Sequence, residues 1–464
     1  MAGVKFGTDG WRAKIADGFT FANLREACRG TALFFLKRKK RPVIAVGYDN
    51  RFMSEHFAAF TADEMASYGF EVRLFDAAVT TPLVSFYINR EKISGGIVIT
   101  SSHNPPDYNG FKIKNSYGAG ASSAETKEVE RFIESERKPK KRNGAVIKIN
   151  YDKEYIRGLR ACADISAIKK SGLRITADAM YGPGGGYIEA ALKGVNGLKV
   201  IRSKRDPLFG GITPEPIEKN LKALCEAVVK NKSHIGIALD GDGDRMALVD
   251  ERGRYITSHK ALVMVLLLHV KYRKMKIKYM KTVAGTSLIN KICSEEGVPL
   301  SVTPVGFKNI GEKMAVDKSV IGGEESGGIG AAYFLPERDG IVSNLFILEL
   351  LAKEKMKLGV YLKKLDMKYG PYIYGRIDLR FSEKNRAKIM ESVRLAGENG
   401  VFAGKKISHI DEMDGIKFII SEREWVLFRF SGTEPLLRIY SEAPSEASVR
   451  KNLGAGRGIA QRRK

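Results

Sequence analysis

Residues 240–245 read Asp-Gly-Asp-Gly-Asp-Arg and follow the apolar run "HIGIAL". Carboxylates at alternate positions, with glycines between them, can turn inward around one hard divalent cation, because glycine permits the backbone angles that a tight oxygen cage requires. The expected ion is Mg²⁺, with Asp240, Asp242 and Asp244 as its ligands. An EF-hand is the obvious rival, since Glu251 falls twelve positions along from Asp240, but that motif needs glycine at its sixth position and this chain has Arg245 there. A solvated acidic turn is disfavoured because three unpaired carboxylates so close would repel one another.

A second stretch, "GIVITSSHNPPDYNGFKIK" at 96–114, runs an apolar strand into small polar groups, one histidine and two prolines. Ser102 becomes a candidate nucleophile if it can meet the metal. Lys112, expected on the same loop after an Asn109-Gly110 turn, can supply positive charge to a phosphate or shuttle a proton. A Ser-His-Asp hydrolase is the competing chemistry, but no G-x-S-x-G elbow surrounds any serine and the chain has six histidines. His103, directly beside Ser102, is poorly placed to be its base and suits a hydrogen bond that holds the loop.

Two further loops have the composition of anion or sugar binders. "GGEESGG" at 322–328 offers Glu324, Glu325 and Ser326 between glycines, and carboxylates paired with hydroxyls suit sugar hydroxyls. "RFSGTEPLLR" at 429–438 sets Arg429, Ser431, the amides near Gly432, and Thr433 around what could be one phosphate. Taken alone, each is equally readable as a plain strand connection or hairpin turn.

The elements that must position these loops follow a repeating rhythm. "PVIAVGYD", "EVRLFDA" and "GGIVITS" are strands separated by helical stretches such as "EHFAAFTADEMASYGF", the pattern of a doubly wound parallel sheet. In such sheets ligands collect beyond the carboxyl ends of strands, where Ser102 and Asp240 fall. The rhythm restarts after a basic, proline-containing stretch near 137–145, and again after about 255. The last hundred residues instead order as strand, helix, adjacent strands and helix, an α+β pattern with antiparallel pairing. The reading is four domains: three similar mixed α/β domains over 1–147, 148–254 and 255–368, and a C-terminal α+β domain over 369–464.

Length and composition agree with this. The chain has 464 residues, 44% hydrophobic and 28% charged, without low-complexity segments. Its longest apolar run, "ALVMVLLLHV", is about half of the ~18 residues needed to span a bilayer, so a buried helix is expected and no membrane partner. The N-terminus lacks an apolar core of signal-peptide length, and a cytoplasmic location is expected. Cys28, Cys162, Cys225 and Cys293 form no CxxC pair and read as reduced core thiols. Lysine and arginine outnumber acids 78 to 53, a formal charge of +25. That suits an anionic partner. The basic runs "KRKKR", "RKPKKR" and "KYRKMKIKYMK" come without any RNP, KH or zinc-finger pattern, which favours a phosphorylated metabolite over nucleic acid.

Six stretches in order, "FGTDGWR" (6–12), "GYDNRFMS" (47–54), "TSSHNPPDYNGFK", "DGDGDR", "GEESGG" and "RFSGTEP", resemble the α-D-phosphohexomutases, the group of phosphoglucomutase, phosphomannomutase and phosphoglucosamine mutase. The resemblance covers essentially the whole chain and implies that the four domains surround a central cleft. It implies interconversion of hexose 1- and 6-phosphates through a phosphoserine and a hexose 1,6-bisphosphate, which also serves as activator. Ser102 matches the phosphoserine, sharing Mg²⁺ with Asp240, Asp242 and Asp244, and Arg245 matches the arginine that follows them. Lys112 and Arg12 match residues that assist proton transfer, with His103 in the same catalytic loop. Glu324 and Ser326 fall in the sugar loop, Lys308 of "TPVGFKN" is a further substrate-binding residue, and Arg429, Ser431, Gly432 and Thr433 form the phosphate clamp. A monomer or homodimer is expected. Gly328 and Phe307 depart from histidines found in several branches, which touches proton handling and sugar discrimination. Glu325 resembles glucose-type members, so glucose phosphate is the expected substrate, with mannose phosphate next and glucosamine phosphate the alternative; a metal-dependent sugar phosphatase is a further rival.

Overall fold

The computed structural model describes residues 3–7, 9–135, 137–431 and 435–461. The chain divides into two compact units, one running to Ile277 and including Phe307–Gly359, the other formed by Lys278–Gly306 and the described residues from Val360 onward.

In the first unit, six strands, β1 (Trp11–Lys14), β2 (Val43–Tyr48), β3 (Glu71–Phe75), β4 (Gly95–Ile99), β5 (Tyr108–Lys114) and β6 (Ala145–Ile149), form one sheet in the order β1-β5-β4-β2-β3-β6. The pairs β2–β3, β2–β4 and β3–β6 are parallel, whereas β5 runs antiparallel to both β4 and β1. "GGIVI" of β4 is buried at every residue, as a strand covered on both faces should be. The covering helices Phe21–Arg38, Thr81–Glu91 and Ser123–Glu134 begin where Thr20, Thr80 and Ser122 cap them, the last through a full capping box with Glu125.

A second sheet repeats the plan. Strands β7 (Ile175–Asp178), β8 (Leu198–Ile201), β9 (Ile235–Leu239), β10 (Met246–Asp250) and β11 (Tyr255–Ile256) stand in the order β11-β10-β9-β7-β8, with β7 parallel to β8 and β9 and with β10 reversed on β9. A third reversed pair joins Val320–Gly323 to Ile329–Ala331. The loops at 100–107, 240–245 and 324–328 are therefore three tips of one repeated device, a buried strand that turns back on itself. The helix Gly340–Glu354 is buried from Gly340 to Ala352, and its all-round apolar sequence suits that central place.

One local expectation is corrected. Asn109-Gly110 is not a turn but lies inside β5, so Lys112 sits on a strand. The turn propensity of Asn-Gly is overridden by pairing on both sides, Arg12 facing Gly110 and Val98 facing Lys112. The Asn109 side chain donates from Nδ2 to Ser54 Oγ (3.0 Å), and a Cβ on Gly110 would lie 2.4 Å from Thr100 O.

In the second unit, Lys278–Thr282 pairs in parallel with Leu300–Thr303. Beside them is a fully antiparallel five-stranded sheet in which Ile373–Arg380, Leu436–Ala443, Glu424–Phe430, Ile416–Ser421 and His409–Asp411 follow one another in space. Its core gathers Val393, Phe402, Phe418, Phe428 and Ile439. This is the α+β arrangement expected for the C-terminal region.

Candidate active site

Thr100, Ser101 and Ser102 leave β4 completely buried. Ser102 has φ +52°, a left-handed backbone that a non-glycine residue adopts at a cost of ~1 kcal/mol or more, so something must hold it there. That something is Arg51, from "GYDNRFMS". Its Nη2 donates to Ser102 O (2.6 Å) and Asn104 O (2.7 Å), and its Nη1 to Pro105 O (2.8 Å) and Tyr108 O (3.1 Å). Asp49 supplies the counter-charge, 3.3 Å from Arg51 Nε, and accepts from Thr100 Oγ1 (2.5 Å) and Ser54 Oγ (2.9 Å). Both charged side chains are wholly buried.

The acidic loop meets this serine. Ser102 Oγ donates to Asp240 Oδ2 at 2.9 Å, and His103 Nδ1 stands 3.2 Å from the same Oγ, so adjacency in sequence does not keep the imidazole away. Both glycines of the loop are required: a Cβ on Gly241 would lie 2.5 Å from Ser102 O, and Gly243 has φ +76°. Asp240 Oδ1 accepts from the amides of Asp244 (2.9 Å) and Arg245 (3.0 Å), which folds the loop back on its first residue. Asp242 Oδ2 accepts from Thr81 Oγ1 (2.6 Å) at the start of helix Thr81–Glu91 and from Lys112 Nζ (2.8 Å). Asp244 Oδ2 accepts from Lys112 Nζ (3.1 Å) and Arg338 Nη2 (2.8 Å).

Asp242 Oδ1 and Asp244 Oδ1 are buried and have no hydrogen-bond partner among the described residues. One ligand atom from each of the three aspartates lies within 4.8 Å of the others. Buried carboxylate oxygens without donors are costly unless a cation takes them, and an all-oxygen set of this size fits a hard divalent ion. Burial, and then Asp244 and Asp242, push the Asp240 carboxyl well above its ordinary range. Burial also opposes ionisation of Asp244, but Arg338 and Lys112 outweigh it and hold that carboxyl low. Lys112, 2% exposed, has Asp9 (2.9 Å) as its third carboxylate neighbour; burial works against its charge, yet the three aspartates push its pKa up, so it stays an ammonium.

Other residues singled out in the sequence divide into two groups. Arg12 reaches Asn104 Oδ1 (2.8 Å) on the serine loop, and burial lowers its pKa. Arg245 is half-buried, with Nε 4.0 Å from Asp244 Oδ1. Glu324 is buried within 3.4 Å of Arg338 Nη1, and the Glu324–Gly328 loop, which holds Ser326, is tied to the metal loop by Met246 N donating to Gly327 O (3.0 Å). Lys308, by contrast, is engaged with Ser123 Oγ. In the second unit, Arg429 Nε donates to Asp414 Oδ2 (2.8 Å) and the side chain lines a cavity of about 600 Å³ with Lys384 and Arg386, while Ser431 is buried beside it in sequence. Gly432 and Thr433 lie outside the described residues. Arg338, Asp9 and the Arg51–Asp49 pair carry no role in the sequence reading. The last three fall in the quoted stretches "FGTDGWR" and "GYDNRFMS", which were the available signal; Arg338 had none.

Family models for phosphoglucomutase/phosphomannomutase match the chain in order: alpha/beta/alpha domain I over residues 3–140, domain II over 153–253, domain III over 259–369 and the C-terminal domain over 379–452. The chain belongs to the phosphoglucomutase/phosphomannomutase family. This phosphohexomutase is 32% identical over 464 residues to a phosphoglucomutase/phosphomannomutase of Thermococcus kodakarensis, covering 98% of each chain. It is 30% identical over 468 residues to a phosphoglucosamine/phosphogalactosamine mutase of Sulfurisphaera tokodaii, covering 97% of each. Among solved structures, a candidate phosphomannomutase of Thermus thermophilus superposes with TM-score 0.87 at 32% identity over 99% of this chain and 100% of that one. The four-domain phosphohexomutase architecture expected from the sequence is thus the one the family models match, and the buried aspartate triad fits a metal site.

Proposed function

We propose that this phosphohexomutase converts hexose 1-phosphate to hexose 6-phosphate with Ser102 as the phosphoryl carrier, glucose phosphate being the preferred substrate and mannose phosphate the next. The observation that carries the reading is the contact of Ser102 Oγ with Asp240 (2.9 Å) in a closed cluster where two further aspartate oxygens lack donors among the described residues.

The cycle starts with phosphate on Ser102. The free hydroxyl of the bound hexose phosphate forms a new O–P bond as the Ser102 Oγ–P bond breaks, and the hydroxyl proton is balanced by the one Ser102 Oγ regains. The hexose 1,6-bisphosphate then turns over and returns its other phosphoryl to Ser102, with the proton passing back. Asp240, Asp242 and Asp244 would hold Mg²⁺, which when bound supplies positive charge to the phosphoryl oxygens. Lys112, held between Asp9, Asp242 and Asp244, would supply positive charge to the transferring group. Arg51 and Asp49 keep the Ser102 oxygen aimed, Glu324 and Ser326 take sugar hydroxyls, and Arg429 with Ser431 takes the non-reacting phosphate, for which Asp414 is the present partner.

Glu325 points to glucose over glucosamine. The test is to assay glucose, mannose and glucosamine 1-phosphates side by side with a catalytic amount of the matching bisphosphate, following 6-phosphate and inorganic phosphate together. Glucose phosphate turning over fastest without phosphate release is the expected result. Net release of inorganic phosphate would make the chain a phosphatase, and preference for glucosamine phosphate would overturn the sugar assignment.

A further inference from the structure

Arg338 lies outside every stretch that carries the family resemblance, yet it touches three loops of the site. Its Nη2 donates to Asp9 Oδ2 (2.6 Å) and Asp244 Oδ2 (2.8 Å), and its Nη1 to Glu324 Oε1 (3.4 Å). It is 5% exposed, and its Nε is buried with no partner among the described residues.

Two neighbours, Gly328 and Phe307, shape its berth. Gly328 closes the sugar loop, and a Cβ there would lie 2.6 Å from Arg338 Cδ and 3.2 Å from Glu324 Oε1, so any side chain at 328 claims the volume in which the Arg338 stem now lies. Phe307 lies below, its ring 5.6 Å from the guanidinium carbon, within range of a cation–π contact. Glycine and phenylalanine at these positions leave room for a long cationic side chain and give it an apolar floor.

We propose that Arg338 is the positioning residue that sets Glu324 toward the sugar and ties the sugar loop to Asp244, and that Gly328 and Phe307 are its seat. The inference rests on the mutase reading of the site. Arg338 fixes the Glu324 carboxylate by a charged contact, so loss of the guanidinium frees that carboxylate and loosens hexose binding more than it slows the phosphoryl step. Gly328 acts mainly through Arg338, whose stem a methyl group there would meet at 2.6 Å, closer than its 3.2 Å approach to Glu324 Oε1.

The test is steady-state kinetics on glucose 1-phosphate for the full chain and the variants R338A, R338K, G328A, E324Q and the doubles G328A/R338A and R338A/E324Q, each checked for an unchanged thermal unfolding midpoint. R338A is expected to raise KM about tenfold or more, with a smaller fall in kcat, and R338K to recover part of the KM. G328A should raise KM in the otherwise unaltered chain but add less than about twofold in the R338A background, and R338A should add little to E324Q. A KM for R338A within about twofold of the parent, or effects of R338A and E324Q that multiply in full, overturns the proposal while the mutase reading stands. If R338A does not fold, the G328A and E324Q pair decides in the same way. Absence of turnover by the unaltered chain on every hexose phosphate sinks both.

Discussion

Replacing Arg51 by lysine should disable the site without touching any group that contacts substrate. The arginine spans four backbone carbonyls between Ser102 and Tyr108, at 2.6 to 3.1 Å, and pairs with Asp49 in complete burial. A lysine keeps the charge but presents three donors from one point, and it cannot reach carbonyls spread along a loop of this length. Hydrogen bonds to charged groups contribute ~1.5–3 kcal/mol each, and breaking a buried pair outright costs ~3–5 kcal/mol. With the charge retained and about two of the four bonds lost, the expected destabilisation is roughly 3–6 kcal/mol. The catalytic effect has its own origin. Ser102 is held at φ +52°, and once released it can relax by a displacement on the order of 1 Å, which is enough to cost about 100-fold in rate. The assay pairs thermal unfolding with kcat on glucose 1-phosphate, using D49N, which leaves the four carbonyl contacts in place, as the comparison. An R51K chain that loses stability but keeps kcat within about threefold of the parent would refute the claim that this clamp aims Ser102.

Other consequences are equally open to measurement. Adding Mg²⁺ or Mn²⁺ should raise the unfolding midpoint, since an ion at 100 times its Kd stabilises by about 2.7 kcal/mol, and D242N/D244N should abolish that shift; an equal shift in the double variant would place the ion elsewhere. In the second unit Lys281 donates to Gly285 O and Thr286 O, and burial, with Lys417 nearby, pushes its pKa down to about 7. Between that value and the ordinary lysine range the unfolded chain binds the extra proton, so stability should rise as pH goes up from about 7 towards 10, and on lowering the pH that gain should be lost over the same range and level off below about 7; K281M should flatten that slope. An unchanged slope would show that Lys281 keeps its proton when folded. In all these variants, unaltered far-ultraviolet circular dichroism separates local effects from unfolding.

Much of this site was legible in the sequence because its key loops are local. Asp-Gly-Asp-Gly-Asp declares its geometry through two glycines, one needed for its left-handed backbone and one for the close approach of Ser102 O, and the apolar runs before Thr100 and Asp240 mark the strands that carry them. Asn109-Gly110 misled because turn propensity is a local signal, and the pairing that overrides it comes from β1 and β4. Arg338 was invisible for the same kind of reason: its partners Asp9 and Asp244 are 329 and 94 residues away in the chain. Lys112 was legible as a charge donor or proton shuttle, but its three-carboxylate setting required the fold.

The central claim is that Ser102 carries the phosphoryl group inside the aspartate cluster. Peptide mass spectrometry after incubation with Mg²⁺ and glucose 1,6-bisphosphate tests it most directly. One phosphoryl group on Ser102, absent from S102A and strongly reduced in D242N/D244N, is the predicted result. Phosphate on a different residue, or full labelling of Ser102 in the aspartate variant, would contradict it.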